Sequence, residues 1–220
     1  MIGNINGQNS SLYDYDQNLI GSQGCIVGID EAAGIDEAGR GPLAGPVVAA
    51  AVILSYSTVI EGINDSKKLS EKKRDFLFWE IVATAKAIGV GIISEEEIDE
   101  INILNASKLA MIRAVENLII KPSILLIDAL TLPISGYKQI PIIKGDTLSA
   151  SIAAASIIAK VTRDSIMKRF DIEYPQYGFL SHKGYGTKLH MEKLKQYGPC
   201  PIHRKTFEPV SSMIVKRLKD

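Results

Sequence analysis

Gly34-Ile35-Asp36-Glu37-Ala38-Gly39-Arg40-Gly41-Pro42-Leu43-Ala44-Gly45-Pro46 runs directly into Val47-Val48-Ala49-Ala50-Ala51-Val52-Ile53-Leu54, and the fold is decided by how this stretch is placed. Eight consecutive apolar residues bounded by Gly and Pro suit a strand buried on both faces. Two adjacent acids at the end of the preceding apolar element are costly to keep there unless they bind something positive. The glycines around Arg40 let backbone N–H groups and one cation approach a polyanion closely. Residues Gly28-Ile29-Asp30-Glu31-Ala32-Ala33 nearly copy the six that follow them, so either acid pair is a candidate.

Outward from this stretch the pattern alternates. Residues 1–24 are polar and rich in Gly, Asn and Ser, which predicts a flexible N-terminal tail. Cys25 to Ile29 reads as a strand that ends on Asp30. Ser70 is placed to cap a helix running to about Ala87, and Ile88 to Ile93 reads as a strand. Ser94 with Glu97 has the spacing of a capping box before a short acidic helix, followed by a longer helix from about Leu104 to Ile119. Ser123 to Ile127 is a strand candidate that delivers Asp128. Ile140 to Ile143 is another, leading to Asp146. An alanine-rich helix is predicted from about Ser149 to Phe170, with Ala150, Ala153 and Ala154 allowing close packing on a sheet. Beyond Tyr174, glycines and prolines are interleaved with aromatic and basic residues; helices are expected near 188–197 and from about Pro209. Strands alternating with helices predict an α/β fold.

The 220 residues suffice for one large domain, and 46% apolar content excludes global disorder. Lys plus Arg equals Asp plus Glu at 25 each, yet bases predominate after Lys160, so a basic face for phosphate is compatible with zero net charge. Cys25 and Cys200 are far apart and unpaired in spacing, which predicts free thiols. No apolar run is long enough for a membrane span and the N-terminus lacks a signal-peptide pattern; the expectation is a cytoplasmic protein with no membrane contact.

The carboxylates at the ends of apolar runs are Asp36, Glu37, Asp128 and Asp146. Residues just past strand ends line the crevice where α/β sheets bind ligands. Carboxylates gathered there repel one another and stay ionised only beside cations; all-oxygen donors without His or Cys favour Mg²⁺ or Mn²⁺. Two such ions are suited to hydrolysing a phosphodiester. The plainer alternative for a lone Asp after a strand is a turn or cap, and Asp146 could cap the alanine-rich helix. A dinucleotide loop fits poorly, because the glycine spacing differs and acids precede it.

The run Gly34–Leu54 resembles the N-terminal signature of ribonuclease HII, the type 2 ribonucleases H. The likeness continues through DSKKLS (65–70), LLID (125–128), IKGD (143–146), SIAAASIIAKVTRD (151–164), YPQYGF (174–179), HKGYGT (182–187) and HRKTF (203–207). The resemblance implies an RNase H-like mixed five-stranded sheet flanked by helices, in a catalytic domain over residues 25–220 whose C-terminal helical extension covers about 175–220. It implies that Asp36, Glu37, Asp128 and Asp146 ligate the metal ions. It further implies that Gly39, Arg40 and Gly41 recognise the ribonucleotide 2′-OH and neighbouring phosphates, with Tyr185 stacking on the adjacent sugar. The implied activity is two-metal cleavage of RNA–DNA hybrids and of single ribonucleotides in duplex DNA, leaving 3′-OH and 5′-phosphate ends, by a monomer. Lys67, Lys68, Lys183, Arg204 and Lys205 are candidate phosphate contacts, although each alone also fits a solvated surface base. Two departures stand out: Ala129 where the family commonly has Gly, and Thr147-Leu148 where a small and a basic residue are usual.

The type 3 enzymes carry a different pattern after the acid pair and a larger N-terminal domain. A non-catalytic binder of the same fold would lack one of the acids. The duplication leaves two registers: Asp30-Glu31 delivered by the better apolar lead-in, or Asp36-Glu37 set by the Gly-Arg-Gly loop. The second is adopted, with a bulge at Ala32-Ala33-Gly34 expected to absorb the insert.

Overall fold

The protein was analysed as a computed structural model, which describes residues 7–24 and 31–217. Strands β1 (Ala32–Ala38), β2 (Val47–Ile53), β3 (Ala87–Ile93), β4 (Ile124–Asp128) and β5 (Lys138–Ile142) form one sheet in the order β3-β2-β1-β4-β5. β1–β2 and β2–β3 pair antiparallel, and β1–β4 and β4–β5 pair parallel, so the sheet is the expected mixed five-stranded one. The parallel pairs bring the ends of β1, β4 and β5 to one edge.

β2 is buried along its whole length. Val47, Ala49, Ala51 and Ile53 pack against Ala106, Ala110, Met111 and Ala114 of α3 (Glu95–Glu116) on one face. Ala50, Val52 and Leu54 meet α2 (Glu71–Thr84) and α4 (Ala150–Glu173) on the other. This two-sided burial is why the run reads apolar without alternation. The helices come very close: a Cβ on Gly34 would land on the Ser151 backbone, and on Gly91 it would land on the Ala110 carbonyl. Helices α5 (Phe179–His182), α6 (Lys188–Tyr197) and α7 (Val210–Arg217) form a C-terminal extension packed on Leu43, Ala44 and Met167.

The helix starts follow the sequence chemistry. The Ser70 side chain accepts from Lys73 N, and Ser94 with Glu97 makes the expected capping box. The short acidic helix and its longer successor are one element interrupted at Asn102, where φ is 64°; the Asn102 side chain accepts from Leu104 N and Asn105 N, restarting the helix. Helix α2 ends at Thr84, earlier than expected, because Ala87 already belongs to β3. Ser149, not Asp146, caps α4.

Two expectations are corrected. Residues 7–22 are not a loose tail but helix α1, whose Leu12, Tyr13 and Ile20 are buried. Its apolar stripe is broken by Asp16, which is also buried and accepts from Ser151 N at 2.9 Å, so it serves an N–H in the first turn of α4 that has no partner within the helix. Nor is there a bulge at Ala32-Ala33-Gly34: these residues pair regularly with Ile124, Leu125 and Leu126. The strand proposed for Cys25–Ile29, with Asp30, lies outside the described residues. Glu31 pairs with Lys86 at 2.7 Å, and its carbonyl accepts from Ser123 N at 2.7 Å.

Asp16→Ala should lower the thermal stability by about 1–2 kcal/mol, read from denaturant unfolding, since it strips a buried acceptor from a helix start. Ala129 holds a left-handed φ of 54° at the end of β4. Ala129→Gly should therefore raise the melting temperature, with a gain of about 0.5–1 kcal/mol.

Candidate active site

The parallel register puts Ile35 opposite Ile127, so Asp36 and Asp128 follow at the same edge of neighbouring strands. Asp128 in turn stands opposite Ile142 of β5, and Asp146 sits in the 3-10 turn Gly145–Thr147 just beyond. Glu37 is the next residue of β1. The four acids singled out from the sequence thus lie around one crevice. Asp36 Oδ1 accepts from Glu37 N at 2.7 Å, and Asp128 Oδ1 accepts from Gly145 N at 2.8 Å. Glu37 leans toward Arg40 Nη1 at 3.4 Å and Asp146 toward Lys67 Nζ at 3.7 Å.

Burial, followed by repulsion from Glu37 and Asp128, holds the Asp36 carboxyl well above the ordinary range. Burial raises Glu37 too, against the pull of Arg40. Asp146 is raised by burial and then by Asp65 and Asp128. Lys67 loses hydration, but the field of Asp36, Asp146, Asp65 and Asp128 outweighs that and raises its pKa. The crevice is short of positive charge. Among the described residues no three His, Cys or acidic side chains stand close enough together to hold an ion as placed. The donor set and its mutual repulsion nevertheless fit hard divalent cations, given side-chain rotation of Glu37 and Asp146 off their basic neighbours.

Asp65 is the acid that sequence reasoning passed over. It is buried, accepts from Lys67 N at 2.9 Å, and faces Asp146 across the crevice mouth. Its place in the block DSKKLS, beside a lysine that reaches Asp146, was the available signal.

The Gly39–Pro46 loop is held from behind by two buried arginines. Arg204 donates to Gly39 O at 2.6 Å, Arg40 O at 2.9 Å and Gly45 O at 2.8 and 3.0 Å. Arg163 donates to Pro46 O, Ala44 O and Lys183 O, each at 3.0 Å. The assignment of Arg204 as a phosphate contact is therefore corrected: it is fully buried, and its donors are spent on carbonyls. Burial and then Arg163 pull its pKa down to about 9, which leaves it charged at neutral pH. Because a trans peptide points its N–H opposite its C=O, the N–H groups of Arg40 and Gly41 face away from Arg204, toward the outer side of the loop.

Gly39 also settles the register. Its φ is +100°, and a Cβ there would meet the Arg163 side chain and the Pro46 carbonyl. The first copy has Ala33 at the equivalent position, and Ala33 instead occupies a regular strand site. Asp36 and Glu37 are thereby placed next to the loop.

Tyr185 is 43% exposed and stands beside Gly41, where a Cβ would lie 3.8 Å from its ring; the Arg163 guanidinium carbon is 5.9 Å from the ring centroid. Lys67 and Lys68 are exposed at the crevice side. Lys183 is half-buried with Nζ donating to Leu180 O at 2.7 Å, and Lys205 is exposed, its backbone N–H bound to Asp99. Cys200 carries a free thiol, while Cys25 lies outside the described residues. No helix among the described residues is long and apolar enough to cross a membrane.

Known proteins agree with this architecture. The ribonuclease HII family model matches residues 33–210. A ribonuclease HII of Clostridioides difficile is 58% identical over 190 residues, covering 86% of this chain and 74% of that protein. One from Acetivibrio thermocellus is 62% identical over 175 residues, covering 80% and 68%. Among solved structures, ribonuclease H2 from Pyrococcus horikoshii superposes with a TM-score of 0.71 at 31% identity, covering 86% of this chain and all of that one. The ribonuclease HII of Archaeoglobus fulgidus, solved in complex with PCNA, gives 0.68 at 29% identity, covering 81% and 95%. With the model spanning most of the chain and relatives this similar, the chain belongs to the ribonuclease HII family, and so to the ribonuclease H endonucleases.

Proposed function

We propose that this chain cuts the RNA strand of RNA–DNA hybrids, and single ribonucleotides embedded in duplex DNA, by metal-assisted hydrolysis that leaves 3′-OH and 5′-phosphate ends. The observation that carries the reading is the placement of Gly39-Arg40-Gly41 one residue beyond Asp36-Glu37, with the loop carbonyls bonded inward by Arg204. The outward N–H groups of Arg40 and Gly41 and the Arg40 side chain then meet the sugar–phosphate backbone. Reading a 2′-OH with fixed backbone groups is what separates RNA from DNA at one nucleotide.

Asp36, Glu37, Asp128 and Asp146 are the residues that would hold Mg²⁺ or Mn²⁺; the ions, when bound, supply an activated water and stabilise the departing oxygen. The acids position these charges against the phosphate that the loop orients. Tyr185, beside Gly41, packs on the sugar next to the ribonucleotide. Lys67 is the lysine paired with one of the acids and offers a phosphate contact once freed from Asp146; Lys183 and the exposed Lys68 and Lys205 are further contributors. On this reading one copy of the chain is the working unit, acting in the cytoplasm, since acids, loop and Tyr185 all come from the same chain.

Incubating the protein with Mg²⁺ or Mn²⁺ and a DNA duplex carrying one ribonucleotide should give a single cut with the stated ends, and Asp128→Asn should lower the rate at least about a hundredfold. Persistence of cutting in Asp128→Asn, or no cutting at all by the parent, rejects the reading. The duplicated acids supply an independent check. Asp36→Asn should abolish cleavage while Asp30→Asn leaves it near the parent rate; the reverse pattern shows that the first copy occupies the site.

A further inference from the structure

His182 and His203 sit within the blocks that carry the family resemblance and His190 lies between them, yet none touches the acids or the loop's outer side. All three are buried, and the His182 and His190 rings stack with centroids 4.3 Å apart. One set of neutral tautomers satisfies the three rings. His190 Nδ1 is 3.0 Å from Tyr185 O, and a carbonyl only accepts, so Nδ1 carries the hydrogen. His190 Nε2 is then bare and accepts from His203 Nε2 at 3.0 Å. That leaves His203 Nδ1 bare: it accepts from Cys200 N at 2.9 Å, with Cys200 Sγ at 3.1 Å, and the Cys200 carbonyl, 3.2 Å away, receives no hydrogen from it in this arrangement. His182 donates from Nε2 to Tyr177 O at 3.0 Å and accepts at Nδ1 from Gly184 N at 3.2 Å. Every ring nitrogen is used, with all rings neutral. Burial, then the neighbouring imidazoles, pushes His190 and His203 down to about 4, so they stay neutral at pH 7.

This ordered chain ends on the backbone of Tyr185. The Tyr185 carbonyl also accepts from Thr187 N at 2.8 Å, and Tyr185 N donates to His182 O at 2.9 Å. The preceding carbonyl, of Gly184, accepts from Leu43 N at 2.9 Å, which ties the turn to the Gly39–Pro46 loop. We propose that His190, oriented by His203, is a positioning residue for the reaction: its Nδ1–H holds the Tyr185 carbonyl and thereby sets where the Tyr185 ring stands beside Gly41. The proposal rests on Tyr185 contacting substrate, as inferred above.

The test is a set of variants assayed for kcat/KM on a DNA duplex with one ribonucleotide, each first shown to unfold cooperatively. His190→Leu removes the donor and should lower kcat/KM roughly tenfold. His190→Asn, whose side-chain amide reaches the Nδ1 position, should recover most of that loss. In Tyr185→Ala the added His190→Leu change should cost little more, because the ring it positions is gone. Should His190→Leu not fold, His190→Gln replaces it, since its amide reaches the Nε2 position instead of Nδ1. A loss that adds in full on top of Tyr185→Ala, or a His190→Asn as poor as the donor-less variant, overturns the proposal alone. Unchanged cleavage in Tyr185→Ala overturns the substrate-contact reading and the proposal with it.

Discussion

Two guanidinium groups buried without a carboxylate in hydrogen-bonding contact set the terms for the rest of the molecule. Arg163 and Arg204 are both inaccessible to solvent, and they donate to the carbonyls of Gly39, Arg40, Ala44, Gly45, Pro46 and Lys183. A buried charge is tolerable only when its donors are matched. The matching demands that the eight-residue span Gly39–Pro46 curl around two side chains, and the glycines follow from that. Gly39 and Gly45 take positive φ, and a Cβ on either would strike Arg163 or Met167. Alanine at either position therefore conflicts with both sterics and dihedral. The loop is rigid because its inner surface is a set of satisfied charges, and Asp36-Glu37 on β1 inherit their place from it.

Much of this was legible in the chain. An apolar run with no alternation implied a strand covered on both sides, and β2 is covered on both sides. Ser94 and Glu97 announced a helix start by side-chain chemistry that needs no tertiary partner. Asp128 was conspicuous because four aliphatic residues deliver it without a turn. The failures share a different cause. Helix α1 was read as a tail because Asp16 breaks its stripe, and the partner that makes a buried acid acceptable, Ser151 N, lies 135 residues away. Arg204 looked like a surface base, since charge ordinarily means solvent; its acceptors are about as remote in sequence. The register of the duplicated acids was ambiguous locally, where Cys25 to Ile29 makes the better apolar lead-in. It is resolved by close approaches at Gly34 and Gly39, which are properties of α4 and not of either copy.

The crevice holds opposite charges side by side, Arg40 next to Glu37 and Lys67 next to Asp146. Asp36, Glu37 and Asp146 are pushed toward the neutral form by burial and then by neighbouring carboxylates, Asp128 among them in every case. Arg40 and Lys67 partly answer them, but at 3.4 and 3.7 Å and with side chains 46% and 76% exposed these are weak pairs. Exposed pairs of that kind contribute roughly 0–1 kcal/mol. Displacing them costs little, whereas a divalent cation among the acids relieves several repulsions at once. On the proposed function, the bases released in that exchange become available to a phosphate. On that same reading, cation and polyanion binding are coupled through the Arg40 and Lys67 side chains, while the backbone of the Gly39–Gly41 turn is held in place by Arg204.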